Sequence, residues 1–213
     1  ALGGAIYTKM NISIVAANGQ NTLFKGNYVQ IGNNKNDNAI YVDNVNAVLT
    51  LKTTNHGVIS LYDNIDGVKG YDVLITGDNT GVVGLYNDIK NADVQAGKVS
   101  INLVDGAIKN YTFNSLNTEA ETSNIAKWNI DVDLTNGKAD TITTKDAGSK
   151  GTVLLNNFNI MGSTEQGSLI IQILKNTTNN NNLQLKIADG ALKVVADVRQ
   201  IDNTVYSSKS YLK

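Results

Sequence analysis

The chain has 213 residues, 18 basic and 19 acidic side chains, and a formal net charge of −1, enough for one good-sized domain or an elongated run of repeats. It has no cysteine, one histidine (His56) and one arginine (Arg199). This excludes a disulfide framework, a cysteine-ligated zinc or iron–sulfur site, a thiol nucleophile and a multi-histidine metal centre, and it leaves electrostatic capture of nucleic acid without support.

Other counts point to architecture. The sequence carries 31 asparagines, 19 glycines and no proline, and only 17% of its residues are charged, against about 25% in ordinary globular proteins. No segment approaches the ~18 consecutive apolar residues of a membrane helix. The first residues, Ala1-Leu2-Gly3-Gly4-Ala5-Ile6-Tyr7, lack the basic region and apolar core of a signal peptide. With no initiating Met, the chain (1–213) is expected to be a single segment excised or processed from a longer surface protein.

Along the chain the elements alternate with period two. Met10, Ile12 and Ile14 enclose Asn11 and Ser13, and Asn18-Gly19 marks the turn that follows. Such a pattern predicts strands with one buried and one solvated face. Ala5-Ile6-Tyr7 returns as Ala39-Ile40-Tyr41. A longer block, Asn55-His56-Gly57-Val58-Ile59-Ser60-Leu61-Tyr62-Asp63-Asn64-Ile65, aligns without gaps with Asn79 to Ile89, 24 residues on; Leu49 and Leu51 fall opposite Val73 and Ile75. A looser unit, glycine then an alternating strand, recurs at Gly97-Val99-Ile101, Gly151-Val153-Leu155, Gly167-Leu169-Ile171 and Gly190-Leu192-Val194. Trp128, Ile130, Val132 and Leu134 enclose Asn129, Asp131 and Asp133; Leu183, Leu185 and Ile187 enclose Gln184 and Lys186. Asn-Gly and Asp-Gly pairs at 66–67, 105–106, 136–137 and 189–190 supply turn residues that tolerate positive φ. The stretches 114–123, 147–150 and 176–182 are expected to be loops.

An all-β chain with a repeat of this length admits two architectures. Asn-Gly hairpin signals favour an antiparallel β-sandwich. The 24-residue repeat favours a solenoid, a parallel β-helix of roughly nine coils in which Tyr62 stacks on Tyr86 and Leu61 on Leu85. The solenoid is the expectation here. Stacked asparagines could bond one another along the axis and take left-handed corners.

Gly3-Gly4-Ala5-Ile6 and Phe24-Lys25-Gly26-Asn27 together resemble the paired Gly-Gly-Ala-[Ile/Leu/Val] and Phe-x-x-Asn motifs of polymorphic outer-membrane-protein passenger domains. Gly81 to Ile89 and Gly151 to Asn157 look like bacterial autotransporter and adhesin passengers generally. The resemblance implies a right-handed parallel β-helix displayed on the bacterial cell surface or secreted. It implies a host or neighbouring-cell ligand as partner, or like subunits stacked end to end. The chain ends Ser210-Tyr211-Leu212-Lys213 without a recognisable barrel, so anchoring to an outer membrane would rest on segments absent here.

Parallel β-helices also carry lyases and glycosidases, which need paired carboxylates across a cleft. The candidates are Asp131 with Asp133, on one strand face, and Asp63 with Asp66, flanking a turn; both pairs are read as structural. Arg199 is expected at an exposed strand end and His56 in a surface turn, with Thr80 as its counterpart and no nucleophile elbow nearby. The run Asp131 to Gly137 partly resembles a calcium loop, but its glycine is one place late and Ile142 stands where the bidentate Glu belongs. Trp128 is assigned to the core, and Tyr62 with Tyr86 to a stabilising stack. The expectation is a non-enzymatic protein without cofactor or metal, acting in adhesion or as a structural stalk. A self-assembling extracellular fibre subunit and a carbohydrate-active β-helix enzyme are the alternatives.

Overall fold

The computed structural model describes residues 3–118, 123–146, 148–162, 169–176, 182–189, 198–201, 204–207 and 209–210. Among these the chain is all β without a helix. What turns alternation into a fold is pairing direction: strands one repeat apart lie side by side and run parallel. Ile12–Ala17, Val48–Thr54, Tyr71–Gly77, Ala92–Gly97, Ser115–Thr118, the start of Lys150–Met161, and Asn182–Ile187 form one ladder. Asn21–Phe24, Val58–Leu61, Val82–Leu85, Ser100–Asn102, Lys127–Asp133 and the end of Lys150–Met161 form a second. Because Lys150–Met161 serves both, the two ladders join as a 13-stranded sheet. A third ladder begins with Ile6–Thr8, Ile40–Val42 and Ile65–Gly67, and a separate three-stranded sheet contains Asn110–Phe113, Thr141–Thr144 and Leu174–Asn176. The stack is therefore solenoid-like and parallel.

Antiparallel strand pairing, the pattern of the sandwich alternative, is confined among the described residues to hairpins and short pairs. These are Tyr28–Ile31 with Asn34–Asp37, Lys127–Asp133 with Lys138–Ala139, Leu169–Ile170 with Lys209–Ser210, and Val198–Ile201 with Thr204–Ser207. The first two are excursions from the stack and help to make its spacing uneven. Leu49 pairs with Val73, 24 residues on, but Val94 follows Val73 by 21 and Leu49 follows Ile12 by 37. The described part of the first ladder accordingly holds seven strands.

Inward positions fill columns of like residues. Ile12, Leu49, Val73, Val94 and Leu116 share one column; Thr22, Ile59, Val83, Ile101, Trp128 and Leu155 share another. Ile6, Ile40, Ile65 and Ile89 are aligned in the third ladder. Apart from Ile6, Ile12 and Thr22 at the first level, which are half-buried, all are buried, each apolar one worth about 1.5–3 kcal/mol on full burial.

The corners between the first and second ladders explain the asparagine content. Asn18, Asn55 and Asn79 occupy successive levels with φ of 54°, 47° and 71°, a conformation asparagine adopts more readily than most residues. Asn55 Nδ2 donates to Asn18 Oδ1 at 2.7 Å, and Asn156 Nδ2 donates to Asn129 Oδ1 at 3.4 Å. The recurring glycine serves a different need. A Cβ at Gly57 would sit 2.1 Å from Ala16 O, and one at Gly81 2.4 Å from Thr53 Oγ1. Close approach of the neighbouring level, not positive φ, therefore demands glycine there.

All three segments expected as loops are partly strand: in 176–182, Asn176 ends the strand Leu174–Asn176 and Asn182 opens Asn182–Ile187. Ser115–Thr118 extends the first ladder, paired with Asp93 to Ala96, and Lys150 opens the next strand. The backbone partners of adjacent levels outweigh the loop-like composition of these segments. Residues 119–122, 147, 177–181, Gly167 and 190–197 lie outside the described residues, so the unit at Gly190 and parts of the expected loops do too.

Among the polar atoms buried in the core, the Tyr71 hydroxyl has a measurable consequence. Tyr71 is wholly buried, yet its hydroxyl has no hydrogen-bond partner among the described residues. A buried unsatisfied polar group costs about 1–3 kcal/mol. Tyr71→Phe should therefore raise unfolding free energy by about 1 kcal/mol, whereas Leu51→Ala, in a fully buried column, should lower it by about 2–5 kcal/mol. Urea titrations of the two variants check this; a destabilised Tyr71→Phe would mean that the hydroxyl has a partner.

Candidate functional site

The densest chemistry lies where the loop 103–110 meets the hairpin formed by Lys127–Asp133 and Lys138–Ala139. Asp131 was expected on the solvent face of its strand. It is instead fully buried, because the loop before Asn110–Phe113 and the adjacent strand cover that face. Its Oδ2 accepts the backbone N–H groups of Asp105 at 2.9 Å and Gly106 at 2.8 Å, and its Oδ1 accepts Asn159 Nδ2. Asp133 accepts the backbone N–H of Asn136 at 3.1 Å and its Nδ2 at 2.6 Å. The two aspartates therefore do not converge on one cleft.

Asp140 is the partner that sequence reasoning missed. Hairpin register sets Val132 opposite Ala139, so Asp140 lies across from Asp131, one step further from the turn. The Asn136-Gly137 signal, used to count backwards, would have located it. Asp140 is fully buried. Its Oδ1 accepts Lys109 N–H at 2.8 Å and its Oδ2 accepts Asp131 N–H at 2.9 Å. Lys109 completes the nest: its Nζ donates to Tyr86 O at 2.7 Å and pairs with Asp105. Burial pushes the Asp140 carboxyl up to about 6; its two backbone donors oppose the shift, and Asp131 and Asp105 add to it. Burial also raises the Tyr111 phenol nearby.

The second expected pair is separated likewise. Asp63 is buried and accepts Gly26 N–H and Asn27 N–H, both at 2.9 Å, and Asn27 Nδ2 at 2.8 Å. Gly4 belongs to the same junction: its N–H donates to Asn38 O, and a Cβ on it would meet Asn38 O at 2.3 Å and Tyr28 N at 2.7 Å. The Gly-Gly-Ala and Phe-x-x-Asn motifs are thus in contact. Asp66 is not at a turn; it points outward from strand Ile65–Gly67. At the corner containing His56, Asp78 accepts Asn55 N–H at 2.8 Å and both the N–H and hydroxyl of Thr80. The Thr80 hydroxyl, then the backbone donors, hold its carboxyl down at about 2.

Remaining candidates fall as follows. His56 is exposed in a turn at φ 62°, and its N–H donates to Thr80 Oγ1 at 2.9 Å. Trp128 is wholly buried. The Tyr62 and Tyr86 rings lie 4.5 Å apart, tilted by 32°, with Lys25 Nζ 4.8 Å from the centre of Tyr62. Arg199 lies in strand Val198–Ile201; its side chain is outside what is described. The run 131–137 is hairpin rather than metal loop, and no group of three His, Cys, Asp or Glu suited to a metal occurs among the described residues.

A separate cleft of about 350 Å³ lies beside the third ladder, lined in part by Tyr41, Asp66 and Lys90 and by the hairpin residues Lys35, Asn36 and Asp37. Pairing carboxylates by sequence proximity could not find it, because Asp37 and Asp66 stand on different levels. No family model, curated protein or solved structure matches the chain.

The state of Asp140 sets a pH dependence. The native chain keeps this proton to about pH 6, whereas the unfolded carboxyl releases it near 3.8. The stabilising contribution is complete below the unfolded value and is lost as pH rises through 6. The stability advantage of the parent over Asp140→Asn should shrink by about 1–3 kcal/mol between pH 4 and pH 7, read from denaturant midpoints. A gap that does not change with pH would contradict a raised carboxyl.

Proposed function

We propose that the chain is a segment of a bacterial surface-displayed or secreted right-handed β-helix, a passenger-type module that acts as an adhesive or structural stalk and not as an enzyme. The observation that carries this reading is the in-register stacking of equivalent residues, from Ile6 on Ile40 to Leu61 on Leu85. A continuous apolar interior stiffens such a stack, each level needs its neighbours, and outward positions remain free to vary. The main sequence-level acids argue in the same direction: Asp63 and Asp131 are engaged by backbone N–H groups, which suits corner building better than proton transfer. The partners in this reading are a ligand on a host or neighbouring cell, or like subunits; nucleic acid is not among them.

The end of the stack favours a second element of the proposal, end-to-end association. Ile6–Thr8, Ile12–Ala17 and Asn21–Phe24 each have a single ladder neighbour among the described residues. None carries a charge or proline, the usual protections of an open strand edge, and Met10, Val15 and Leu23 nearby are 76%, 53% and 60% exposed. Such an edge suits another coil, supplied by a longer form of the polypeptide or by a like subunit.

Two measurements test these statements. Immunogold electron microscopy of producing cells with antibody against the purified chain should label the outer surface or released material; label confined to the cytoplasm would end the surface reading. Light scattering should show self-association of the purified chain that Val15→Lys with Leu23→Lys abolishes. A parent protein that stays monomeric would reject the open-edge pairing.

A further inference from the structure

The outward column of the third ladder changes character as it rises. Tyr7, Tyr41 and Asp66 are in register, and Lys90 follows because Ile65 bridges Ile89. The Tyr7 and Tyr41 rings are parallel to within 2°, with centres 6.1 Å apart. Tyr7 is braced from outside: its hydroxyl donates to Asp43, which also pairs with Lys9 at 3.4 Å. Above Tyr41 the column steps down to the shorter Asp66. Beside this step stands the hairpin Tyr28–Ile31 with Asn34–Asp37, and between them lies the cleft of about 350 Å³, within the usual range of small-molecule sites, about 300–1,000 Å³.

The fold engages some polar groups of this lining, such as Asn64 and the Lys35 ammonium over the Tyr28 ring, and leaves others with capacity to spare. Asp66 Oδ1 accepts Gly67 N–H at 2.8 Å and Asn91 Nδ2 at 3.0 Å; Oδ2 has no hydrogen-bond partner among the described residues, nor has the Asn36 amide, and the Lys90 ammonium feels Asp88 only through space. In Asp63, Asp131 and Asp140, by contrast, both carboxyl oxygens accept hydrogen bonds. Charge in the lining balances, Lys35 and Lys90 against Asp37 and Asp66, so the cleft has no net attraction for an anion or a cation. A flat ring next to unconsumed carboxylate, amide and ammonium groups fits a ligand with an apolar C–H face and a rim of hydroxyls.

We propose that this cleft binds a neutral saccharide unit, which packs on Tyr41 and hydrogen-bonds through its hydroxyls to Asp66 and Asn36. The inference rests on the adhesive reading above and supplies its ligand class. Tyr41 acts as the platform, held in place by the stacked Tyr7, and Asn36 reaches the ligand from the hairpin.

The test uses the whole chain and a panel of soluble neutral di- to tetrasaccharides built from hexoses and N-acetylhexosamines, with acidic oligosaccharides alongside, read by saturation-transfer NMR and titration. At least one neutral member should bind saturably. Tyr41→Ala should weaken it about tenfold or more, and Asn36→Ala, an exposed hairpin change that removes no observed hydrogen bond, should weaken it several-fold. Tyr62→Ala, in the other aromatic stack, should leave binding unchanged. Absence of saturable binding by every neutral member up to about 10 mM, binding of acidic members alone, or unchanged affinity in both Tyr41→Ala and Asn36→Ala would overturn the proposal. Cleavage of a bound neutral saccharide would uphold the site and overturn the non-enzymatic reading. Cytoplasmic immunogold label would overturn the surface reading and leave the saccharide result standing on its own.

Discussion

In a parallel in-register stack, the neighbours of a side chain along the axis are the residues at the same position one level below and one level above. Each column must therefore be filled consistently, or the mismatch must be absorbed locally. The isoleucine column of the third ladder satisfies this condition in the simplest way, with Ile6, Ile40, Ile65 and Ile89 one above another. The column through Thr22, Ile59, Val83, Ile101, Trp128 and Leu155 strains it. There an indole occupies a slot held by β-branched residues at the levels below, its Nε1 has no partner among the described residues, and the pairing register shifts immediately after it. The same place is where Lys150–Met161 passes from one ladder to the other, so the irregularity coincides with the joint of the large sheet.

That constraint also explains what could be read in advance. Wherever two levels follow each other without an excursion, as at 55–65 and 79–89, similarity at a fixed offset is contact, and the pairs Val58 with Val82 and Leu61 with Leu85 follow directly. Where a hairpin intervenes, as after Phe24, the offset lengthens and the similarity thins to three residues, Ala5-Ile6-Tyr7 against Ala39-Ile40-Tyr41. Ser115–Thr118 escaped notice because small polar residues carry little strand signal of their own. Their conformation comes from Asp93 to Ala96 on one side and Lys150 on the other, and Leu116 opposite Val94 was the one available clue.

Asp131 shows the limit of period-two reasoning more sharply. Alternation distinguishes the two faces of a strand, and it placed Asp131 opposite Ile130 and Val132 correctly. It cannot say whether the outer face is bare. Here the Asp105-Gly106 turn and Asn159 close over that face, and an outward residue becomes a buried one. The cleft at Tyr41 was hidden for the same reason, since the hairpin that lines it folds back from between two levels of the stack.

The absence of proline and the abundance of Asn and Asp are two aspects of one requirement. Without proline each residue after the first presents a backbone donor, and within ladders the next level accepts it. At corners the levels do not pair continuously, and donors would be left facing the interior at a cost of about 1–3 kcal/mol each. Asp63, Asp131 and Asp140 each take two backbone N–H groups at such places, and Asp78 takes two at the exposed corner beside His56, while asparagines supply the left-handed turns between them. A carboxylate committed in this way has its lone pairs directed at the backbone and little capacity left for a reacting group. Chemistry is then left to outward residues that no corner requires, and the step from Tyr41 to Asp66 beside an inserted hairpin brings several of them together.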